Sequence, residues 1–174
     1  MRVIETVRCR LEPQLAAHAE PMFAVLSDPA IYEYENEPPP SLQWLRDRFA
    51  KLESRRSPDG SEEWLNWVVV CRETSALIGY VQATVRSDGA AAIAYELSSS
   101  RWGRGFGSEA VQGMIDELVH WHRVRSLTAV LKRENFRSRR LLERLGFSVA
   151  PGELRARLHV EDDELLMGRD AGRC

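Results

Sequence analysis

The 174-residue chain has little cysteine. Cys9, Cys71 and Cys174 are odd in number, far apart and without Cys-x-x-Cys spacing. This excludes a disulfide framework and a cysteine-based zinc site, and reads as free thiols in a reducing compartment. No apolar run approaches the roughly 18 residues of a membrane span, so no membrane partner is expected. The opening "MRVIETVRCRLEPQL" lacks the apolar stretch and cleavage site of a signal peptide, so the expected location is cytoplasmic. There is no Gly-x-x-x-x-Gly-Lys-[Ser/Thr], which argues against a nucleotide-hydrolysing P-loop. Nor is there an excess of one charge. The net charge is −2, so direct nucleic-acid binding by the whole molecule is not expected. His120 and His122 are two apart at a helix end and do not share a face, so no metal site is expected there.

What is present is ordinary in bulk. Apolar residues make up 44% and charged residues 29%, and the length suits one domain over 1–174. Apolar periodicity gives a first strand at 7–11, stopped by Pro13, and helical spacing over 15–26 with a kink or break at Pro21. An acidic, aromatic, proline-closed loop, "PAIYEYENEPPPS", follows. Ser41 reads as the N-cap of a helix carrying Leu42, Leu45, Phe49 and Leu52. Strands at 64–71, 77–85 and 91–98 read as an antiparallel meander. A helix over 107–121, a strand at 124–132 and a helix after Asn135 come next, the last closed by Gly146. Short strands at 147–150 and 164–169 finish the pattern. The order, β-α-α-β-β-β-α-β-α-β-β, predicts an α/β (α+β) fold around one mixed sheet.

The most informative stretch is "YELSSSRWGRGFGSEA" at 95–110. Gly103, Gly105 and Gly107 alternate between arginines at a strand-to-helix junction. Glycine permits positive φ and close approach of a ligand to the backbone. The first turn of a helix offers N–H groups without internal partners at the positive end of the dipole. Together these predict an anion site suited to phosphate, with Arg101 and Arg104 adding charge. "GFGSEA" also satisfies Gly-x-Gly-x-x-Ala, but the next strand ends Leu131-Lys132-Arg133, with no acid to hold a ribose, so a dinucleotide-binding fold fits poorly. Residues 101–144 carry ten Lys or Arg against five Asp or Glu, making this part of the chain basic and the rest acidic.

This stretch together with "LKRENFRSRRLLERLGF" resembles the GNAT superfamily of acetyl-CoA-dependent N-acetyltransferases. The likeness is greatest to the branch containing the ribosomal-protein N-terminal (alanine/serine) acetyltransferases. It runs over nearly the whole chain, through "VRCRLEPQ", "FAVLSDPA" and "LIGYVQA". The resemblance implies a single-domain, mostly antiparallel sheet flanked by about four helices, with the phosphate-binding turn between strand 4 and helix 3. It implies acetyl-CoA as co-substrate and no metal. It places the pyrophosphate on Arg104, Gly105, Phe106, Gly107 and Ser108, and the pantetheine arm along Leu97, Ser98 and Ser99 and at Asn135. Arg139 or Arg140 would reach the adenosine phosphate. Many members have a tyrosine where this chain has Leu142, so Ser138 is the candidate for protonating the departing thiolate.

The chemistry needs an amine that loses a proton and attacks a thioester. Glu96, alternating in direction with Tyr95 and Leu97, is the candidate base, acting directly or through water. A backbone N–H near Leu97 is the candidate oxyanion donor. The loop bearing Tyr32, Glu33, Tyr34, Glu35 and Glu37 would wall the acceptor site and attract an amine, whether a protein N-terminus or a small molecule. The alternative within the same resemblance is a non-catalytic acyl-CoA-binding module. A third reading, RNA binding through the Arg-rich helix, lacks an interleaved aromatic platform. Trp44, Trp64 and Trp67 exceed what a small core easily encloses, which leaves room for a homodimer.

Overall fold

The computed structural model describes residues 1–172, so Cys174 lies outside the described residues. Eight strands form one sheet in the order β1-β2-β3-β4-β5-β6-β8-β7. They are β1 Ile4–Glu5, β2 Cys9–Pro13, β3 Glu62–Cys71, β4 Leu77–Arg86, β5 Ala90–Leu97, β6 Ser126–Lys132, β7 Ser148–Val149 and β8 Glu164–Asp170. The helices are α1 Ala19–Leu26, α2 Leu42–Leu52, α3 Phe106–Trp121, α4 Phe136–Arg144 and α5 Gly152–Arg157. All pairings are antiparallel except β5 with β6. This is the expected mixed, mostly antiparallel sheet.

Alternation along β3 divides two cores. Leu65, Trp67, Val69 and Cys71 point to the face covered by α3 and α4, while Val68 points to α1 and α2. Trp67 is fully buried because its indole N–H finds the Arg2 carbonyl at 3.0 Å. Trp64 is half-buried and Trp44 exposed, so the three tryptophans are not gathered in one core.

Several expectations need correction. The first strand does end at Pro13, but it includes that residue and begins at Cys9 instead of Val7. The Gln14 N–H donates to Asn66 O at 2.9 Å, so alternation turns the Pro13 nitrogen to the other edge, past the end of β1. Pro21 does not break its helix. It sits in the first turn of α1, where no intrahelical N–H is needed, and the break falls earlier, after a 3-10 turn over Ala16–His18. Strand β1 and helix α5 leave no mark in the sequence pattern; they are two and six residues long, too short for periodicity to register. Because β1 exists, the strand before the glycine turn is the fifth, and among the described residues there are five α-helices instead of about four.

Gly79 sets how closely β4 approaches the end of β5. It pairs with Leu97, and a Cβ there would lie 2.1 Å from the Glu96 carbonyl oxygen. Beside it the register with β3 shifts, so that Val69 faces Gly79 and Val70 faces Leu77. This bulge bends β4 where β5 ends.

Candidate active site

The site begins with a strand pair that separates. β5 and β6 are in register only at Ala90–Ala92 and Ser126–Thr128. Beyond those residues the two strands diverge and a gap opens. The Ser98 N–H donates to Ile78 O at 2.8 Å, so the alternation of an antiparallel ladder turns the N–H and C=O of Leu97 and Tyr95 toward the gap. The Leu97 carbonyl also accepts from the Trp102 indole N–H at 2.9 Å. Ser98 and Ser99 are otherwise engaged. Ser98 Oγ meets Ser100 Oγ at 2.9 Å, and both the N–H and the hydroxyl of Ser99 donate to Asp28 Oδ2. Of the three residues placed along a pantetheine arm, Leu97 is the one whose backbone faces the gap.

The glycine turn separates into two duties. Gly103 and Gly105 have φ of +70° and +83°, which side chains disfavour. Gly107 instead permits close packing, because a Cβ there would lie 2.9 Å from Leu141 Cδ1 of α4. The Glu109 N–H donates to Gly105 O at 3.1 Å, the first intrahelical bond. The preceding N–H groups, those of Phe106, Gly107 and Ser108, are the free donors of the helix start. The Phe106 side chain is buried beneath, and Arg101 and Arg104 lie over its ring at 5.6 and 5.8 Å.

Two further arginines serve this region. Arg8 Nη1 donates to the Arg104 carbonyl at 2.8 Å and Nε to Glu109 Oε2 at 2.7 Å, across 101 residues of sequence. Glu109 Oε1 accepts from Thr6 Oγ and from the Arg8 N–H. Although partial burial opposes it, these hydrogen bonds hold the Glu109 carboxyl below the ordinary glutamate value. Arg144 reaches Ser108 Oγ at 3.5 Å and lines the cleft with Arg101 and Arg137. Arg139 and Arg140 do not line it, and Arg139 pairs with Glu143 at 2.9 Å. Nothing in the sequence near the turn points to Arg8. The choice among the arginines of α4 depends on helix rotation.

This cleft, about 450 Å³, runs from the turn along the gap. A second cavity, about 690 Å³, lies on the α2 side of the sheet. Ile31, Tyr95, Glu96, Asn135 and Ser138 line both, so the two meet at the end of β5. Asn135 caps α4, its Oδ1 accepting the Ser138 N–H at 3.0 Å. The Ser138 hydroxyl lies 2.7 Å from the Tyr95 hydroxyl. Burial raises the Tyr95 phenol to about 12, so it remains a proton carrier at neutral pH. Sequence reasoning did not single out Tyr95. Its register in β5 opposite α4 is the missing information. Leu142 is buried in the core, consistent with its apolar side chain.

Glu96 faces the second cavity. Its carboxyl is raised above the ordinary value by burial and by Glu35, against hydrogen bonds from Tyr80 and Asn36 and the charge of Arg48. The acidic loop is less free than its composition implies. Glu35 Oε1 accepts the Lys132 N–H at 3.2 Å, and Glu33 pairs with Arg137 at 3.6 Å. Arg137 in turn stacks over Trp102 at 3.5 Å, joining this loop to the glycine turn. Among the described residues no group of three or more His, Cys, Asp or Glu is arranged around a metal position, and no helix is long and apolar enough to cross a membrane.

The family model described as the acetyltransferase (GNAT) domain matches residues 8–148. An uncharacterized N-acetyltransferase, p20, of Bacillus licheniformis is 29% identical over 150 residues, covering 84% of this chain and 83% of that protein. Among solved structures, the RimL ribosomal L7/L12 α-N-protein acetyltransferase in complex with coenzyme A superposes with a TM-score of 0.79 at 16% identity, covering 97% of this chain and 98% of that one. The ribosomal-protein-S5-alanine acetyltransferase of Vibrio fischeri gives 0.79 at 17% identity, covering 98% and 97%. The two structural likenesses are likenesses of fold.

Proposed function

The chain belongs to the GNAT acetyltransferase family and is an acyltransferase using acetyl-CoA; from that premise we propose that it delivers the acetyl group to a primary amine by direct attack in a ternary complex. The observation that supports this reading is the meeting of the two cavities at Glu96 and Ser138.

The chain fits acetyl-CoA at two independent features. One is the helix start with free N–H groups beside Arg101 and Arg144. The other is the open edge of β5, where the Leu97 backbone can pair with an amide-bearing arm as an added strand would. When bound, acetyl-CoA supplies a thioester carbon open to attack by an uncharged amine. Glu96 takes the amine proton, directly or through a water. Its raised carboxyl is a better base than an ordinary glutamate. The N–H of Leu97 or a neighbour stabilises the charge that develops on the carbonyl oxygen, a role worth about 10²–10³-fold. As the new C–N bond forms the C–S bond breaks, and the thiolate takes a proton from the Ser138 hydroxyl as the Ser138 oxygen takes one from the Tyr95 hydroxyl 2.7 Å away, which solvent then restores. Tyr95 acts as a positioning residue: its O–H donates to Ser138 Oγ and leaves the serine proton free to point at sulfur.

The test is a calorimetric titration with acetyl-CoA followed by an amine screen read by thiol release. Wild-type protein should bind at micromolar concentration and turn over with an amine. Gly105→Glu, which loads the φ +83° position and puts a carboxylate at the anion site, should abolish binding. A folded wild type that does not bind acetyl-CoA would overturn this reading.

A further inference from the structure

Glu96 stands between two donors from different parts of the fold. Tyr80 pairs with Glu96 across β4 and β5, so the two side chains leave the sheet side by side on the α2 face. Tyr80 packs against the core beneath α1 and α2. Burial and the neighbouring Glu96 push its phenol well above the ordinary value, so it keeps its proton and donates. Asn36 comes from the acidic loop and lines the same cavity as Tyr80 and Glu96. Its side chain also hydrogen-bonds the Glu96 carboxylate.

The backbone of Asn36 is unusual. Its φ is +62°, a left-handed conformation that side chains disfavour and that asparagine tolerates best. Such a conformation persists where the surroundings enforce it, and it collects at functional sites. Here the chain is held on both sides. Glu35 accepts the Lys132 N–H at 3.2 Å, and Pro38, Pro39 and Pro40 follow, with Pro39 buried. The charged and titratable groups around Glu96 are Glu35 and Tyr32 of the loop region, Tyr80 of β4 and Arg48 of α2. A carboxylate accepts about four hydrogen bonds. Two fixed donors set the plane of the group and leave capacity for an incoming amine.

Resting on the acetyl-transfer reading, we propose that Tyr80 and Asn36 are positioning residues for the base, a two-donor clamp that holds the Glu96 carboxylate in one orientation toward the amine. Neither touches the reacting atoms. Tyr80 is the fixed half, because it belongs to the sheet. Asn36 is the half that arrives with the loop, so the base is complete only when the loop is seated. Both donors favour the charged carboxylate and so oppose the effect of its burial. Removing either leaves a carboxylate that turns more freely and ionises less readily.

The experiment titrates the Glu96 carboxyl by carbon-13 NMR in glutamate-labelled protein, its signal assigned by its absence from Glu96→Gln. This reading needs no acceptor. In Tyr80→Phe and in Asn36→Gly the midpoint should rise by about one pH unit. Glycine accepts the φ of +62°, so Asn36→Gly removes the amide while Tm holds. With glycinamide as the amine at saturating acetyl-CoA, kcat should fall on the order of tenfold in both variants, with KM for acetyl-CoA unchanged. Purely structural residues would lower Tm and leave the midpoint in place, which would overturn the proposal. A midpoint that moves with kcat unchanged would overturn it too. If Tyr80→Phe does not fold, Asn36→Gly is read by the same midpoint. Glu96→Gln that acetylates glycinamide at the wild-type rate would defeat the reading of Glu96 as base, and this proposal with it. Loss of rate in Glu96→Gln beside unmoved midpoints in the other two defeats this proposal alone.

Discussion

The Tyr95 and Ser138 hydroxyls lie 2.7 Å apart at the one place where the two cavities share walls. One comes from the end of β5 and the other from the first turn of α4, so the pair exists only when the strand and the helix are docked.

If this pair delivers the proton to the leaving sulfur, Ser138→Ala should lower kcat by about 10²-fold, the low end for general-acid help. Tyr95→Phe should lower it less. The double variant should be no worse than Ser138→Ala, because the phenol acts through the serine. Full additivity in steady-state thiol release would separate the two residues.

Glu96 is expected to set one limb of the pH profile. Its folded carboxyl is raised, so the acid limb of kcat/KM should lie above the ordinary glutamate value of 4.5 and vanish in Glu96→Gln, along with most of the rate. Acceptors of different amine basicity distinguish this limb from ionisation of the substrate. A limb belonging to Glu96 stays in place, whereas one belonging to the amine moves with its pKa.

Glu109 makes a separate prediction about stability. Its folded value is depressed, so its contribution is complete above the unfolded value near 4.5 and is lost as pH falls through the folded one. Glu109→Gln should therefore melt below wild type at pH 7, and the gap should narrow as pH is lowered below 4.5 and through the depressed folded value. Thermal unfolding across that range measures it. A gap that stays constant with pH would show that the charge of Glu109 contributes nothing.

Gly79→Ala should destabilise by about 3 kcal/mol or more, since the new Cβ would sit 2.1 Å from the Glu96 carbonyl oxygen, a backbone atom that cannot move without shifting β5. Gly152→Ala, with nothing within 4 Å of its Cβ, should fall within about 0.5 kcal/mol of wild type. Denaturant melts of the two give the contrast directly.

Much of this was legible along the chain. Alternation in the meander, Ser41 and Asn135 as N-caps and Gly146 at positive φ are local preferences, and each appears where its residue type predicts. The glycine turn was legible for the same reason: positive φ at Gly103 and Gly105 and a helix start are properties of neighbouring residues. Gly107 shares their spacing, but its cause is Leu141 of another helix.

Local chemistry along the chain thus determined most of the elements and their order, the glycine turn at a helix start and Glu96 as a carboxylate at a strand end. It could not determine which arginines reach the turn, because Arg8 arrives from the bend between β1 and β2 and Arg144 is selected over Arg139 and Arg140 by the rotation of α4. It could not join Tyr95 to Ser138 or pair Gly79 with Leu97. Those relations depend on strand register and on the docking of helices against the sheet. Register and docking are decided by the burial of whole faces, and a short window of sequence contains only one side of each contact.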